Sequence, residues 1–116
     1  MKIYAFDIDG TICTNTDGNY ELAVPYKERI ESINRLYSEG HIIKMFTARG
    51  STTKKDWYEF TANQITNWGL KFHELITGKP EADFFIDDKA INDNHWDWER
   101  ALDENYDEDE KKLENI

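Results

Sequence analysis

Short apolar runs rich in β-formers alternate along this chain with stretches in which apolar residues recur every three or four positions. Residues 3–8, Ile-Tyr-Ala-Phe-Asp-Ile, predict a buried strand that ends in carboxylates. Pro25 suits the first turn of a helix, and Ile30, Ile33, Leu36 and Tyr37 then mark one amphipathic face that Gly40 closes. Residues 41–47 predict a second strand. Residues 54–68 predict a second helix, with Trp57, Phe60, Ile65 and Trp68 on or near one face and Gly69 after its end. Residues 74–77 and 83–87 predict a third and a fourth strand, and residues 91–102 a last helix. Asp17-Gly18 predicts the tip of a small hairpin in the first connection. Alternating strands and helices imply βαβ units and a mainly parallel sheet, in which a ligand site lies beyond the carboxyl ends of the strands.

The polar residues fall at those ends. Asp7 and Asp9 follow the first strand, Thr47 ends the second, Lys79 follows the third, and Asp87 and Asp88 end the fourth. Converging carboxylates repel unless a cation lies among them. Their hard oxygens, with no His or Cys cluster nearby, point to Mg²⁺ ahead of Ca²⁺ or Mn²⁺. A divalent cation, a lysine and a hydroxyl donor together suit a phosphoryl group. One carboxylate can then attack phosphorus while a second moves the proton, which is phosphoryl transfer through an aspartyl-phosphate.

The ordered set resembles the haloacid dehalogenase-like (HAD) hydrolases. The family's first motif stands here as Tyr4-Ala5-Phe6-Asp7-Ile8-Asp9-Gly10-Thr11. The second stands as Met45-Phe46-Thr47-Ala48-Arg49, the third as Gly78-Lys79-Pro80, and the fourth as Phe84-Phe85-Ile86-Asp87-Asp88. The resemblance implies a three-layer Rossmann-like fold and Asp7 as nucleophile. It implies Asp9 as the acid for the leaving alcohol and then the base for water. Thr47, the Ala48 amide and Lys79 would hold phosphate. Asp7, the Asp9 carbonyl and Asp88 would take Mg²⁺, with Asp87 in support.

Only 37 residues separate Asp9 from Thr47 and 31 separate Thr47 from Lys79. Each stretch is filled by one crossover helix and its loops, so no cap domain fits and the hairpin is the only lid. A capless site is either open to large substrates or closed by a neighbouring copy, which would make a homo-oligomer. Within the capless group the chain is similar to short phosphatases of bacterial capsular polysaccharide biosynthesis, through its Phe-Thr-Ala-Arg-Gly, Gly-Lys-Pro and Ile-Asp-Asp-Lys-Ala segments. That likeness implies a small substrate, a sugar or polyol phosphate or a capsule precursor.

Composition narrows the alternatives. With 116 residues there is room for one domain, read as 1–102, followed by an acidic tail over 103–116. The net charge of −10 argues against nucleic acid as a partner and so against a polynucleotide-end phosphatase. Cys13 alone can form no intrachain disulfide. No apolar run spans a bilayer and the first residues do not read as a secretory signal, so a soluble cytoplasmic protein is expected. A receiver domain would carry its phosphorylated Asp on the third strand, which here offers Thr77 and Lys79. A HAD-like scaffold without activity and a phosphotransferase stay open. Arg49 is read either as a clamp for a substrate anion or as a surface residue, and Lys89 likewise. Cys13 is read as a small packed residue. His95, Trp96 and Trp98 are read as packing of the last helix ahead of lining a pocket, and His41 and His73 receive no role.

Overall fold

A computed structural model describes residues 1–99 of the chain. In chain order it contains β1 (Ile3–Asp7), a single 3₁₀ turn (Tyr20–Leu22), α1 (Lys27–Ser38), β2 (Ile42–Thr47), α2 (Tyr58–Asn67) and β3 (Glu74–Thr77). The strands pair in the order β1-β2-β3, all parallel. A small parallel α/β fold is what the alternating pattern predicts.

Register puts Tyr4 beside Ile43, Phe6 beside Met45, and Met45 beside Leu75. These five share one face of the sheet, and all are buried with Ile30, Ile33 and Leu36 of α1 and Ile65 of α2. Both crossover helices therefore cover the same face, as right-handed βαβ connections require when strand order follows chain order. The other face is more open. Ile3, Ala5 and Ile76 are exposed there, and Lys44 pairs with Glu74 at 3.6 Å. The described residues thus supply two of the three layers the resemblance implies.

Both helices end in the same way. Gly40 and Gly69 take φ of +95° and +86°. The following amides, of His41 and Leu70, donate back to the carbonyls of Leu36 and Ile65. This satisfies carbonyls that the last helical turn would leave bare, and only glycine adopts that φ without steric cost. Two histidines finish the sheet's lower edge. His41 Nδ1 accepts from the Lys2 amide and His73 Nδ1 from the Ile43 amide, each at 3.0 Å. They pair backbone donors at strand starts.

Three expectations are corrected. Residues 83–87 form no strand, and Phe84 and Ile86 are 84% and 98% exposed. Apolar β-formers make a strand only where a ladder receives them, and Asp87 Oδ1 instead accepts the Lys89 amide at 2.8 Å in a local turn. Residues 91–99 form turns rather than the start of a helix. There the side chains of Asn92 and Asp97 accept the amides of Asn94 and Glu99, a competition that short polar side chains win against helix hydrogen bonds. The second helix starts at Tyr58 rather than at residue 54, because Lys54 takes φ +63° and Asp56 Oδ1 receives the Tyr58 amide at 2.9 Å. The end of the expected last helix, 100–102, and the acidic tail lie outside the described residues. Trp96 and Trp98 do pack on the core, against Tyr4 and Phe6, but from turns.

Candidate active site

The site begins with one tight turn. After β1 the amides of Thr11 and Ile12 both donate to the Ile8 carbonyl, and the Gly10 amide donates to Cys13 at 2.9 Å. Gly10 takes φ +83°, which lets the chain reverse within four residues. Ile8, Ile12 and Cys13 are fully buried, so the turn is anchored from below. Asp7 and Asp9 consequently stand on a fixed backbone at the carboxyl end of the sheet.

Asp7 meets Lys79. The lysine Nζ lies 3.4 Å from Asp7 Oδ1, and the Thr11 hydroxyl donates to Asp7 Oδ2 at 3.3 Å. Burial nonetheless pushes the Asp7 carboxyl above its ordinary range, with Lys79 pulling it back only in part. Lys79 is itself constrained at three points. Its amide donates to the Thr47 carbonyl at 3.1 Å, its carbonyl accepts the Ser51 hydroxyl at 2.6 Å, and its ammonium sits 4.2 Å from the Phe85 ring centroid and 4.7 Å from that of Phe46.

Asp9 meets Arg49. Both carboxylate oxygens take guanidinium hydrogens, Oδ1 from Nη2 at 2.8 Å and Oδ2 from Nε at 2.9 Å. The Arg49 side chain is completely buried, which removes the surface reading. With two of its donors on Asp9 and the third nitrogen on α2, it does not face out as a substrate clamp either. Thr47 is fully buried, and its hydroxyl accepts the Arg49 amide at 3.1 Å. The Ala48 carbonyl accepts the Ser51 amide at 2.9 Å, closing the loop that follows β2.

Asp87 and Asp88 stand apart from this arrangement. Both are exposed, and no group of three or more His, Cys, Asp or Glu is placed to hold a metal among the described residues. Hydrogen bonding from the Lys89 amide lowers the Asp87 carboxyl, a local effect of its turn. Of the expected set, the structure therefore brings together Asp7 with Lys79, and links Thr47 to both Lys79 and Arg49. The acid pair of the fourth motif is not joined to them, because the strand that would carry it is not formed. Lys89 is exposed. Cys13 Sγ lies 3.7 Å from Asp9 Oδ1, and burial first, then the Asp9 charge, push its thiol up to about 12. It is a packed residue and no nucleophile.

Beside the two ion pairs lies a cavity of about 620 Å³ between the loop after β2 and the turn after β3. Ser51, Lys54, Trp57, Thr77 and Pro80 are among its walls. Trp57 meets Tyr20 edge-on at 4.9 Å, so the first connection leans against this cavity. Tyr20, Ser51, Trp57 and Gln64 were not legible as site residues, since each is placed by contacts far away in sequence. The Asp17-Gly18 tip does form, with φ of 52° and 94°. The segment it caps is closed by the Thr14 amide on the Val24 carbonyl and the Tyr26 amide on that of Ile12.

No protein-family model matches the chain, and no curated protein matches it. A crystal structure of an MCSG target from Vibrio cholerae superposes with a TM-score of 0.70 at 24% identity, over 99% of this chain and 98% of that one. That likeness shows the α/β fold and leaves the chemistry to the residues. No helix among the described residues is long and apolar enough to cross a membrane.

Proposed function

We propose that this chain is a capless, HAD-like phosphatase that hydrolyses a small phosphate monoester through an aspartyl-phosphate on Asp7. The observation that carries the reading is the pair of ion pairs, Asp7 with Lys79 and Asp9 with Arg49, held two residues apart at the carboxyl end of a parallel sheet. One carboxylate faces a compact point charge suited to phosphate, and the other is fixed in orientation, which suits attack and proton transfer respectively.

Asp7 attacks phosphorus, the bond from phosphorus to the ester oxygen breaks, and Asp9 gives its proton to the departing alkoxide. Water then attacks the phosphorus of the aspartyl-phosphate while Asp9 takes the proton. The bond to Asp7 breaks and inorganic phosphate leaves, with Asp7 restored as the carboxylate and Asp9 as the protonated acid. Lys79 neutralises phosphate charge and the Ala48 amide supplies a hydrogen-bond donor to its oxygens, while Thr47, fully buried, braces the loop through its hydroxyl on the Arg49 amide.

Asp7 and the Asp9 carbonyl fit Mg²⁺ in donor chemistry. A largely buried carboxylate whose proton affinity is raised carries charge that one lysine does not balance. One carboxylate with waters and substrate phosphate is also an ordinary Mg²⁺ environment. When bound, the ion would neutralise charge on the transferring group. Asp87 and Asp88, as arranged here, do not add to that donor set.

The cavity against Trp57, with hydroxyl and charged groups around it, supports a sugar or polyol phosphate as substrate. Capsule precursors are members of that class. Phosphate release should be measured across sugar, polyol and nucleotide phosphates, with Mg²⁺ or EDTA and with Asp7→Asn as control. Mg²⁺-dependent release that the variant lacks is the expected result. Equal release by the variant would overturn the reading.

A further inference from the structure

Among the described residues Arg49 is a heavily engaged side chain, and the reaction above gives it no step of its own. Its side chain is 0% exposed. Beyond the two bonds to Asp9, its Nη1 donates to Gln64 Oε1 at 2.8 Å and to the Thr61 hydroxyl at 3.2 Å. Four of its five hydrogens are thereby directed, half to Asp9 and half to α2. A buried ion pair is a poor device for stability alone, since a packed apolar pair does as well. A guanidinium fork is instead suited to fixing the plane of a carboxylate. Asp9 Oδ1 also receives the Cys13 thiol at 3.7 Å, which leaves Oδ2 with the further lone pair through which a proton can pass.

The same side chain is tied to the first connection. The Tyr20 ring covers the guanidinium, with Cζ 4.4 Å from its centroid, and Gln64 Nε2 donates to the Tyr20 carbonyl at 2.7 Å. Gln64 thus holds Arg49 with one end of its amide and the 14–24 segment with the other. Any displacement of that segment removes a ring from one side of Arg49 and an anchor from Gln64.

We propose that Arg49 is the positioning residue for proton transfer by Asp9, and that Gln64 and Tyr20 make its orientation depend on the seating of the 14–24 segment against Arg49 and α2. The inference rests on the phosphatase reading. It assigns Arg49 to the leaving-group proton, in place of the substrate anion. Fixing the proton carrier matters for a basic leaving group and little for one that departs unaided.

The test is kcat/KM for 2,4-dinitrophenyl, 4-nitrophenyl and phenyl phosphate, whose leaving groups become more basic in that order. This constant reports the first chemical step and is blind to hydrolysis of the phospho-enzyme. In Arg49→Gln the ratio of dinitrophenyl to phenyl phosphate should widen about a hundredfold over wild type. Arg49→Lys, which keeps the charge but loses the fork, should fall between the two. Gln64→Leu and Tyr20→Leu should widen the ratio in the same direction by a smaller factor. They also carry the test if the arginine variants do not fold, as judged by circular dichroism. Equal losses on all three esters would overturn the inference and leave the phosphatase reading standing. No Mg²⁺-dependent release from any of them by wild type would overturn both.

Discussion

Lys79 Nζ stands 3.4 Å from Asp7 Oδ1, yet the carboxyl is still held above its ordinary range because burial outweighs the lysine. A group raised in the folded state adds stability when protonated. That contribution is complete below the ordinary carboxylate value and is lost as pH rises through the raised one. At neutral pH the ionised Asp7 is therefore a burden on the fold. Asp7→Asn should abolish turnover and raise Tm at pH 7 by about 2–4 °C, roughly half a kcal/mol in a domain of this size. The gain should vanish as the pH is lowered past the ordinary carboxylate range. Calorimetry across pH on both proteins checks it; a variant less stable at pH 7 would refute it.

Removing the lysine should move the titration of Asp7 further in the same direction. Lys79 is the largest influence that lowers this carboxyl. Attack needs the ionised form, so the acid limb of kcat/KM should shift to higher pH in Lys79→Met. The plateau should fall by about a hundredfold or more, the usual loss when one charged donor at a transferring group is removed. The pH–rate profile of the variant against wild type decides this. An unmoved acid limb would separate Lys79 from Asp7 in function.

How much of this was legible in the chain follows from what each residue depends on. Gly40 and Gly69 mark their helix ends because a left-handed φ is a local requirement that glycine meets. The 74–77 strand is found where its β-formers stand, and Asp7 and Lys79 meet because strand ends of a parallel sheet converge. Arg49 was ambiguous because its partner lies 40 residues away and its burial depends on Tyr20 and α2. Residues 83–87 and 91–102 read as a strand and a helix from apolarity and spacing. Asp87, Asn92 and Asp97 each turn the local backbone onto their own side chains instead. That choice is made by tertiary context, which a pattern of hydrophobic positions does not contain.

Cys13 supplies a prediction about access. Its side chain is fully buried, and its thiol is pushed up from 9.0 to about 12. That difference leaves about a thousandfold less thiolate than an ordinary cysteine at the same pH. Iodoacetamide should label the native protein at the rate of its unfolding and label urea-unfolded protein at once. Labelling of native protein at the rate of a free thiol would show that the turn after β1 opens without unfolding.

Two glycines near the site give the last prediction. Gly50 and Gly78 both take positive φ, +83° and +94°, so alanine is strained at either. Their surroundings differ. A Cβ on Gly50 would run into the Lys55 carbonyl and lie 3.2 Å from Trp57 Cδ1, whereas one on Gly78 would meet nothing within 4 Å. Gly78→Ala should cost about 1 kcal/mol, the backbone penalty alone. Gly50→Ala should cost about 2–3 kcal/mol, since a carbonyl cannot swing aside as a flexible side chain does. In Tm that is about 4–8 °C against roughly twice as much. The loop that Gly50 would displace carries Arg49 on one side and Ser51, bonded to the Lys79 carbonyl, on the other. Gly50→Ala should therefore disturb both ion pairs together, and widen the leaving-group ratio while it raises KM. Equal stability losses in the two variants would mean that the loop after β2 yields easily and does not hold Arg49 in place.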